Sequence, residues 1–440
     1  MHERVRQAPR RVATHQGEWE RWAGGTWASL AAMAHEETGL PCDSIDAGLR
    51  PSGRRVHTSP TNVAGYLWSA ICARDLGLIP ARECRERLAV TLGTLARLRR
   101  HVASGMFANW YAADTGEVIT RWPNSGRRVI PFVSSVDNGW LAATLLVVAA
   151  AEPALAEPAR HILDRMRFDA LFDPEAGRLR GGFWDGKTLR KHVVAAYGPI
   201  EQPLRYTAHH YGLLNSEPRL TSYVGIVLGQ LPPSSIAAVD APVRTYRGRT
   251  VVATCGGSMF EALSPELFVP EADWAPATWG ANHADTVALQ REYGLDDKRY
   301  GLWGFSPCAN PGGGYAEWGV PPIAWLPRGY PSKRRGEAVV TPHASALAMM
   351  HDPEAASDNL RRIAALPGAF GPGGFVDSVG IPTGRRAERH LAIDQAMLLG
   401  ALATRLADGG LRRWFCSPPV SARLRPLVRG ALPAQDATRR

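Results

Sequence analysis

The chain has 440 residues, of which 45% are hydrophobic and 21% are charged, a composition typical of a soluble globular protein with a large buried core. Its formal net charge of +10 comes almost entirely from arginine, because lysine occurs at only four positions. The basic residues are spread along the chain without a continuous basic stripe, which argues against nucleic-acid binding.

Helical patterns dominate the chain. In the segment 82–102, for example, Leu88, Leu92 and Leu95 lie on one face of the predicted helix. The segment 137–151 is apolar nearly all round, so we expect it to be buried. The predicted helices, in chain order, are 19–36, 61–77, 82–102, 137–151, 157–168, 217–229, 282–294, 343–350, 353–366, 386–407 and the short 411–415.

Long stretches rich in Gly, Pro and aromatic residues separate these helices, and three of them, 181–201, 252–279 and 301–331, are predicted loops. Strand signals are few and short, the best being 250–254 and 339–340. No Ser-rich or charged linker divides the chain, so we predict one domain. Amphipathic helices that alternate with apolar ones predict a ring of helix pairs, with the long loops building a cleft at one end.

The two ends of the chain and its apolar runs bear on localisation. The N-terminal stretch is charged and lacks the apolar region of a secretory signal. The longest apolar run, 141–151, is too short to span a bilayer. We therefore expect a cytoplasmic protein without a membrane partner, or a secreted one if the N-terminus is truncated.

Asp394 is the sharpest candidate for chemistry. It lies in the sequence HLAIDQAMLLGAL, three residues after Leu391 and four before Leu398, so it shares the apolar face of a helix. A carboxylate on a buried face is unfavourable unless it is paired or hydrogen-bonded. The side chain is either part of a structural salt bridge to an arginine or a base that points into the centre of the ring.

Four other acids have comparable alternatives. Glu217 precedes Pro218, which places it in the first helical turn, where it is either a partner of the helix dipole or a general acid with a raised pKa. Glu261 follows two glycines and is either a structural acid or a ligand-binding one. Asp137 is a candidate N-cap as well as a substrate ligand, and Asp377 follows a glycine-rich loop.

An aromatic loop, YGLWGFSPCANPGGGYAEWGVPPIAW, contains Trp303, Tyr315 and Glu317. So many rings in a glycine-rich loop predict surfaces on which sugars stack. Trp140 and His210 are further candidates for the same cleft, although adjacent histidines such as His209 and His210 are often incidental.

Several motifs are absent from the sequence. The six cysteines form no CxxC pair, which argues against zinc or iron–sulfur sites and against a disulfide scaffold. The sequence also has no Walker loop, no GxGxxG placed after a strand, no HExxH, no GxSxG and no DDxxD. We therefore expect no metal or cofactor.

Taken together, these segments resemble the bacterial glucoamylase-like glycoside hydrolases, a group that includes endo-β-1,2-glucanases. The order and spacing agree from about residue 50 to residue 410. The matching stretches are TSPTNVAGYLWSAICARDLGLI, FVSSVDNGWLAATLLV, YGLLNSEPRLTSYVGIVLG, GGSMFEALSPELFVPE, YGLWGFSPCANPGGGYAEWGVP, TPHASALAMMHDPEAASDNLRRI, GGFVDSV and HLAIDQAMLLGAL. Among the departures, Gly212 stands where the family usually has an aspartate, and Ala396 follows Gln395 where it has glycine.

The resemblance implies an all-α fold, an (α/α)6 toroid or barrel, spanning 51–415. An N-terminal extension, 1–50, would pack on the barrel, and 416–440 would form a C-terminal tail. It also implies inverting hydrolysis of a glucan, foremost a β-1,2-glucan, with Glu217 as general acid and Asp394 as general base. The predicted substrate-binding residues are Asp137, Trp140, His210, Arg219, Glu261, Trp303, Tyr315, Glu317 and Asp377.

Two alternatives remain open at the level of sequence. An enzyme inside the cell with the same cleft would transfer a glycosyl group to a sugar or small-molecule acceptor. A catalytically silent protein on the same fold would bind carbohydrate only, and the glycine at position 212 motivates this reading. The sequence fixes neither the linkage nor the oligomeric state.

Overall fold

The computed structural model describes residues 10–187, 192–197, 200–326 and 338–432. The outermost parts of the predicted N-terminal extension and C-terminal tail, and parts of two predicted loops, therefore lie outside the described residues. The α-helices within these ranges are α1 (Arg10–Met33), α2 (Pro60–Asp75), α3 (Ala81–Arg97), α4 (Ser135–Ala151), α5 (Ala156–Leu163), α6 (Arg219–Val227), α7 (Ser234–Ala237), α8 (Met259–Leu263), α9 (Glu271–Trp274), α10 (Ala281–Glu292), α11 (Pro342–Ala348), α12 (Pro353–Ala364), α13 (Ala392–Leu406), α14 (Arg412–Phe415) and α15 (Pro418–Ala431).

The predicted helices are all present, with shifted ends. Helix α1 begins at Arg10 rather than at 19, and α13 begins at Ala392 rather than at 386, because the residues before α13 form a strand. Helix α15 was not predicted, since its Pro418 and Pro426 are typical of helix ends. It forms because Val420, Leu424 and Val428 lie four residues apart on one buried face.

Short strands join the helices, and they are more numerous than the two that the sequence predicted at 250–254 and 339–340. The segment predicted as a loop at 181–201 contains three strands of a four-stranded antiparallel sheet with the order β4-β7-β9-β8. Its edge strand exposes Val193 and Val194, so no alternation of apolar and polar residues marks it in the sequence. The strands are β1 (Ser44–Asp46), β2 (His57–Thr58), β3 (Tyr111–Ala112), β4 (Phe132–Ser134), β5 (Phe172–Asp173), β6 (Arg178–Leu179), β7 (Gly182–Trp184), β8 (His192–Tyr197), β9 (Ile200–Thr207), β10 (Val243–Tyr246), β11 (Arg249–Val252), β12 (Cys308–Ala309), β13 (Tyr315–Ala316), β14 (Val339–Val340), β15 (Phe370–Gly371), β16 (Gly374–Phe375), β17 (Val379–Gly380) and β18 (Arg389–Leu391).

The helices pack in two layers. In the inner layer α13 packs on α2, α2 on α4 and α4 on α6, while α8 packs on α11 and α11 on α13. In the outer layer α1 covers α13 and α2, α3 covers α2, α5 covers α4, α10 covers α8, and α12 covers α11. Helix α4 is buried along nearly its whole length, as its apolar sequence predicts. None of the helices in the described ranges has both the length and the apolar character that a membrane crossing requires.

Helix α1 is held on this arrangement by large apolar side chains. Trp22, Leu30 and Met33 are completely buried in the main core, and Trp27 stacks on Tyr66 of α2. Full burial of a side chain such as Leu or Met stabilises the fold by about 1.5 to 3 kcal/mol. The N-terminal region that the structure describes is thus an integral part of the hydrophobic core.

Three strand pairings position the inner helices at one end of the molecule. Strand β4 of the four-stranded sheet leads directly into α4, and β1 pairs with β18, which leads into α13. Strand β14 pairs with β17 and leads into α11. Each strand thus leads directly into the first turn of its helix, and first-turn residues of α4 and α13 line the same cleft.

Candidate active site

An open cleft of about 620 Å³ lies at the N-terminal ends of the inner helices. Residues from the first turns of α2, α4, α8 and α13 contribute to its walls, together with loops that are distant in the sequence. The first turn of a helix leaves backbone N–H groups without partners inside the helix, so such a cleft favours hydroxyl and carboxylate oxygens. The polar lining residues are Asp43, Ser44, Arg55, His57, Ser59, Thr61, Asn62, Asp137, Glu217, Asn310, Tyr315, Glu388 and Arg389.

Glu217 lines the cleft just before α6, which begins two residues later than the proline-based prediction placed it. Its Oε2 accepts a hydrogen bond from Trp140 Nε1 at 3.1 Å. Burial raises the pKa of Glu217 to about 8; the Trp140 hydrogen bond opposes this rise, and the charges of Glu261 and Asp137 add to it. Burial therefore outweighs the helix dipole, and this carboxyl group is largely protonated at neutral pH.

Glu261 lies close to Glu217, in the first turn of α8. Its Oε2 accepts hydrogen bonds from the Gly256 N–H at 3.3 Å and the Ser258 hydroxyl at 3.4 Å. Burial is the largest influence and raises the pKa of Glu261 to about 7, while these bonds oppose the rise and the charge of Glu317 adds to it. The sharp approach of this loop requires glycine, because Gly257 has a φ of +72° and a Cβ there would lie 2.2 Å from Val320 O.

Asp394 and Asp377 form a buried carboxyl pair beneath the cleft. Asp394 lies in the first turn of α13 and is 3% exposed, and Asp377 accepts a hydrogen bond from the Ala309 N–H at 2.6 Å. Burial, together with the neighbouring carboxyl group, raises the pKa of Asp394, and burial raises that of Asp377 to about 6. The two side chains are hydrogen-bonded to each other and so share a proton. Of the two alternatives for Asp394, a salt bridge to an arginine is not found in the described part of the chain, and its neighbour is an acid.

Asp137 is not the N-cap of α4. Ser134 caps this helix, and its hydroxyl accepts from the Asp137 N–H at 3.3 Å. The Asp137 carboxylate instead accepts from the Thr61 hydroxyl at 2.6 Å and lines the cleft.

Tyr315 lines the cleft from β13 and is 59% exposed. The charges of both Asp394 and Glu217 act on its hydroxyl group, so this group lies near both acids. Glu317, two residues further on, is half-buried, and its charge acts on Glu261. The aromatic loop thus brings one ring and one acid to the site.

Seven of the nine predicted substrate-binding residues are absent from the cleft lining in the described part of the chain, and four of these seven are buried in the core or held in ion pairs. The Arg219 side chain is 1% exposed and forms a two-pronged ion pair with Glu271, at 2.7 and 2.8 Å. His210 pairs with Asp173 at 2.8 Å, Trp303 lies in the main core, and Trp140 is buried. Each was singled out because it is close to a motif in sequence, which does not determine where a side chain points.

Arg219 nevertheless affects the geometry of the site. Its Nη1 donates to the carbonyl oxygens of Ser216 and Glu261, both at 3.0 Å, and its Nη2 donates to Ala262 O at 2.6 Å. The first acceptor directly precedes Glu217 in the chain. One buried guanidinium group therefore ties the backbone of Glu217 to that of Glu261.

Sequence reasoning missed one wall of the cleft. Asp43 accepts from Asn62 Nδ2 at 3.1 Å, and its other oxygen lies 3.6 Å from His57 Nε2. The His57 ring makes edge contacts with Trp110 and Trp122, at centroid distances of 5.1 and 5.2 Å. These residues come from loops without a recognised motif, so no local pattern in the sequence marks them.

Comparison with known proteins identifies families and relatives that this chain resembles. Residues 233–417 match the family model Glycoamylase, described as "Putative glucoamylase", and residues 21–219 match DUF3131, described as a protein of unknown function. The cyclic β-(1,2)-glucan synthase NdvB of Rhizobium meliloti (strain 1021) is 29% identical over 92% of this chain. The chain spans 18% of the length of that curated relative.

Solved structures share the fold at low sequence identity. The endo-β-1,2-glucanase of Chitinophaga pinensis, in complex with sophorotriose and glucose, is 16% identical, with a TM-score of 0.73 over 94% of this chain and 98% of that one. The endo-β-1,2-glucanase of Talaromyces funiculosus, in complex with sophorose, is 14% identical, with a TM-score of 0.72 over 94% and 87% of the two chains. The resemblance to the glucoamylase-like family, including its endo-β-1,2-glucanase group, is confirmed.

Proposed function

We propose that this chain is a glycoside hydrolase that cleaves a glucan, foremost a β-1,2-linked one, with Glu217 as general acid and Asp394 as general base. The observation that carries the proposal is a protonated carboxyl group, Glu217 with a pKa of about 8, at the wall of a cleft large enough for several sugar rings. The similar solved structures are endo-β-1,2-glucanases in complex with sophorotriose or sophorose, which supports the choice of linkage.

The reaction follows from the protonation states. Glu217 donates its proton to the glycosidic oxygen as the bond from that oxygen to the anomeric carbon breaks. A water molecule forms the new bond to the anomeric carbon and gives its proton to ionised Asp394. Attack from the opposite face inverts the anomeric configuration. The other polar side chains of the site bind sugar hydroxyl groups or the water; these are Asp137, Glu261, Glu317, Tyr315 and Asp377.

The hydrolase needs its acid and base in opposite protonation states. Glu217 must keep its proton, whereas the pair of Asp394 and Asp377 must have lost the proton that it shares. The pKa of Glu217 is about 8, and burial together with Asp377 raises the pKa of Asp394, so we expect activity to fall at high pH as Glu217 ionises and at low pH as the pair keeps its proton.

We also propose that the inner helices form the closed six-helix ring of an (α/α)6 barrel. The contacts run from α8 through α11, α13, α2 and α4 to α6. The hydrogen bonds from Arg219, at the start of α6, to the carbonyl groups of Glu261 and Ala262 in α8 support the closing contact. The division into an extension at 1–50, a barrel at 51–415 and a tail at 416–440 is part of this proposal.

Product analysis with a panel of β-1,2-, β-1,3-, β-1,4- and α-linked glucans tests the function. We expect new oligosaccharides from β-1,2-glucan, and a loss of kcat on the order of 10³-fold or more in Glu217→Gln and Asp394→Asn. Glu354→Gln and Asp164→Asn are matched controls, because both side chains are exposed on outer helices or their ends. Full activity in either active-site variant contradicts the assignment, and the anomer that is released first distinguishes inversion from retention.

Glycosyl transfer is the second candidate. The similarity to a cyclic β-(1,2)-glucan synthase favours it, because cyclisation joins the cut chain to a sugar hydroxyl instead of to water. Product that depends on an added acceptor, without release of new reducing ends, supports transfer over hydrolysis. Glucan binding without any turnover over a long incubation supports a binding protein instead.

A further inference from the structure

A buried histidine lies beside Asp394. His343 is in the first turn of α11, is 2% exposed, and its Nδ1 lies 3.5 Å from Asp394 Oδ2. Within the described residues, neither ring nitrogen of His343 has a hydrogen-bond partner, and neither has Asp394 Oδ2. Polar atoms buried in this way are almost always paired, so two that face each other form a natural couple.

We propose that His343 is a positioning residue for Asp394, whose Nδ1–H donates to Oδ2 of the ionised carboxylate and holds it toward the cleft. The inference rests on the proposed function, because it assigns a partner to the proposed general base. A small rotation of either side chain shortens 3.5 Å to hydrogen-bonding distance. The shared proton of the carboxyl pair leaves to solvent when Asp394 ionises, and the bond to His343 then becomes charge-assisted.

The surroundings explain why the partner is a neutral imidazole. Burial lowers the pKa of His343 to about 3, so the ring carries no charge at physiological pH and acts as a donor rather than as a counter-ion. The other ionisable groups whose charges interact with Asp394 are Asp377, Asp43, Tyr315 and Cys308, all of which are neutral or negative. An ionised Asp394 therefore depends on hydrogen-bond donors, and His343 is placed to supply one.

Three substitutions of His343 distinguish a role in positioning Asp394 from a role in packing alone. An asparagine at this position carries its amide nitrogen close to the place of Nδ1, a glutamine carries it close to Nε2, and a leucine has no donor. We expect His343→Asn to keep kcat within a few-fold of wild type, and His343→Gln and His343→Leu to lose about 10- to 100-fold in kcat with little change in KM. In the two impaired variants the acidic limb of the kcat/KM profile moves to higher pH, because the ionised base has lost its donor.

A second measurement does not require activity. A double-mutant cycle of His343→Leu and Asp394→Asn, followed by thermal unfolding from pH 5 to pH 9, reports the coupling between the two side chains. We expect a coupling that grows with pH and reaches a few degrees in Tm. A coupling of zero throughout, or equal loss of kcat in all three His343 variants with an unmoved acidic limb, overturns the proposal. A protein that shows the coupling but cleaves no glucan refutes the proposed hydrolase while the His343–Asp394 bond stands.

Discussion

Removing the indole donor of Trp140 tests whether Glu217 is the proton donor. Trp140→Phe deletes the hydrogen bond of 3.1 Å to Glu217 and keeps most of the buried ring. A hydrogen bond to a charged group contributes about 1.5 to 3 kcal/mol, and one pKa unit corresponds to about 1.4 kcal/mol. The bond favours the ionised carboxylate, so its loss raises the pKa of Glu217 from about 8 by roughly one unit or more. The alkaline limb of kcat/KM on a β-1,2-glucan oligosaccharide then moves up by about the same interval.

Trp68→Phe is the matched control for this experiment. Trp68 packs against Trp140 with ring centroids 5.5 Å apart, and its Nε1 donates to Ala396 O rather than to an acid. Both variants lose one indole donor in the same part of the core, so their stability losses should be similar. We expect an unmoved alkaline limb in Trp68→Phe. An unmoved limb in Trp140→Phe, or equal shifts in the two variants, refutes the assignment of this limb to Glu217.

Three further predictions concern stability and binding. Glu217→Gln should raise Tm above that of the wild type at pH 8 to 9, and its free energy of unfolding should exceed the wild-type value by at most about 4 to 5 kcal/mol. The gain should shrink toward pH 4.5, because a raised folded-state pKa makes the wild type lose stability as pH rises from 4.5 through about 8. Arg219→Met should cost about 3 to 5 kcal/mol in urea unfolding because it strands buried Glu271, and adding Glu271→Leu should recover part of the loss. Trp110→Ala should raise KM for glucan about 3- to 10-fold with kcat nearly unchanged, since Trp110 is an aromatic wall of the cleft; equal loss in kcat contradicts a stacking role.

Local periodicity predicts the helices well because their buried faces repeat every three or four residues. Local periodicity fails to predict secondary structure where contacts with distant chain segments determine it. Residues 389–391 look like the first turn of α13, but they pair as a strand with Ser44–Asp46, more than three hundred residues earlier. The hairpin of β8 and β9 is not predicted for a related reason, since its edge strand buries little surface and its sequence shows no alternation of apolar and polar residues.

The candidate site shows the same division between local and long-range information. Glu217 and Asp394 stand out because each breaks a helical pattern, the first before a proline and the second on an apolar face. Arg219 was misplaced because only the folded chain reveals its partner, Glu271, 52 residues away. Asp43 and Trp110 have no local pattern of their own, and only the folding of the loops brings them to the cleft.

The buried acids differ in whether they have a cationic partner, and this difference supports the proposed distinction between structural acids and acids of the active site. Burial would raise the pKa of Glu266 and Glu271, yet their histidine and arginine partners lower it, so these two acids stay ionised and join helices. At Glu217 and Glu261 burial prevails, because the neighbouring charges are negative and Arg219 donates to backbone carbonyl groups there. Acids that are paired with cations cannot exchange protons near neutral pH, whereas those that face only other acids can. The cation partners of Glu266 and Glu271 thus keep these two acids ionised, whereas Glu217 and Glu261 keep raised pKa values, as the proton donor of the proposed reaction requires.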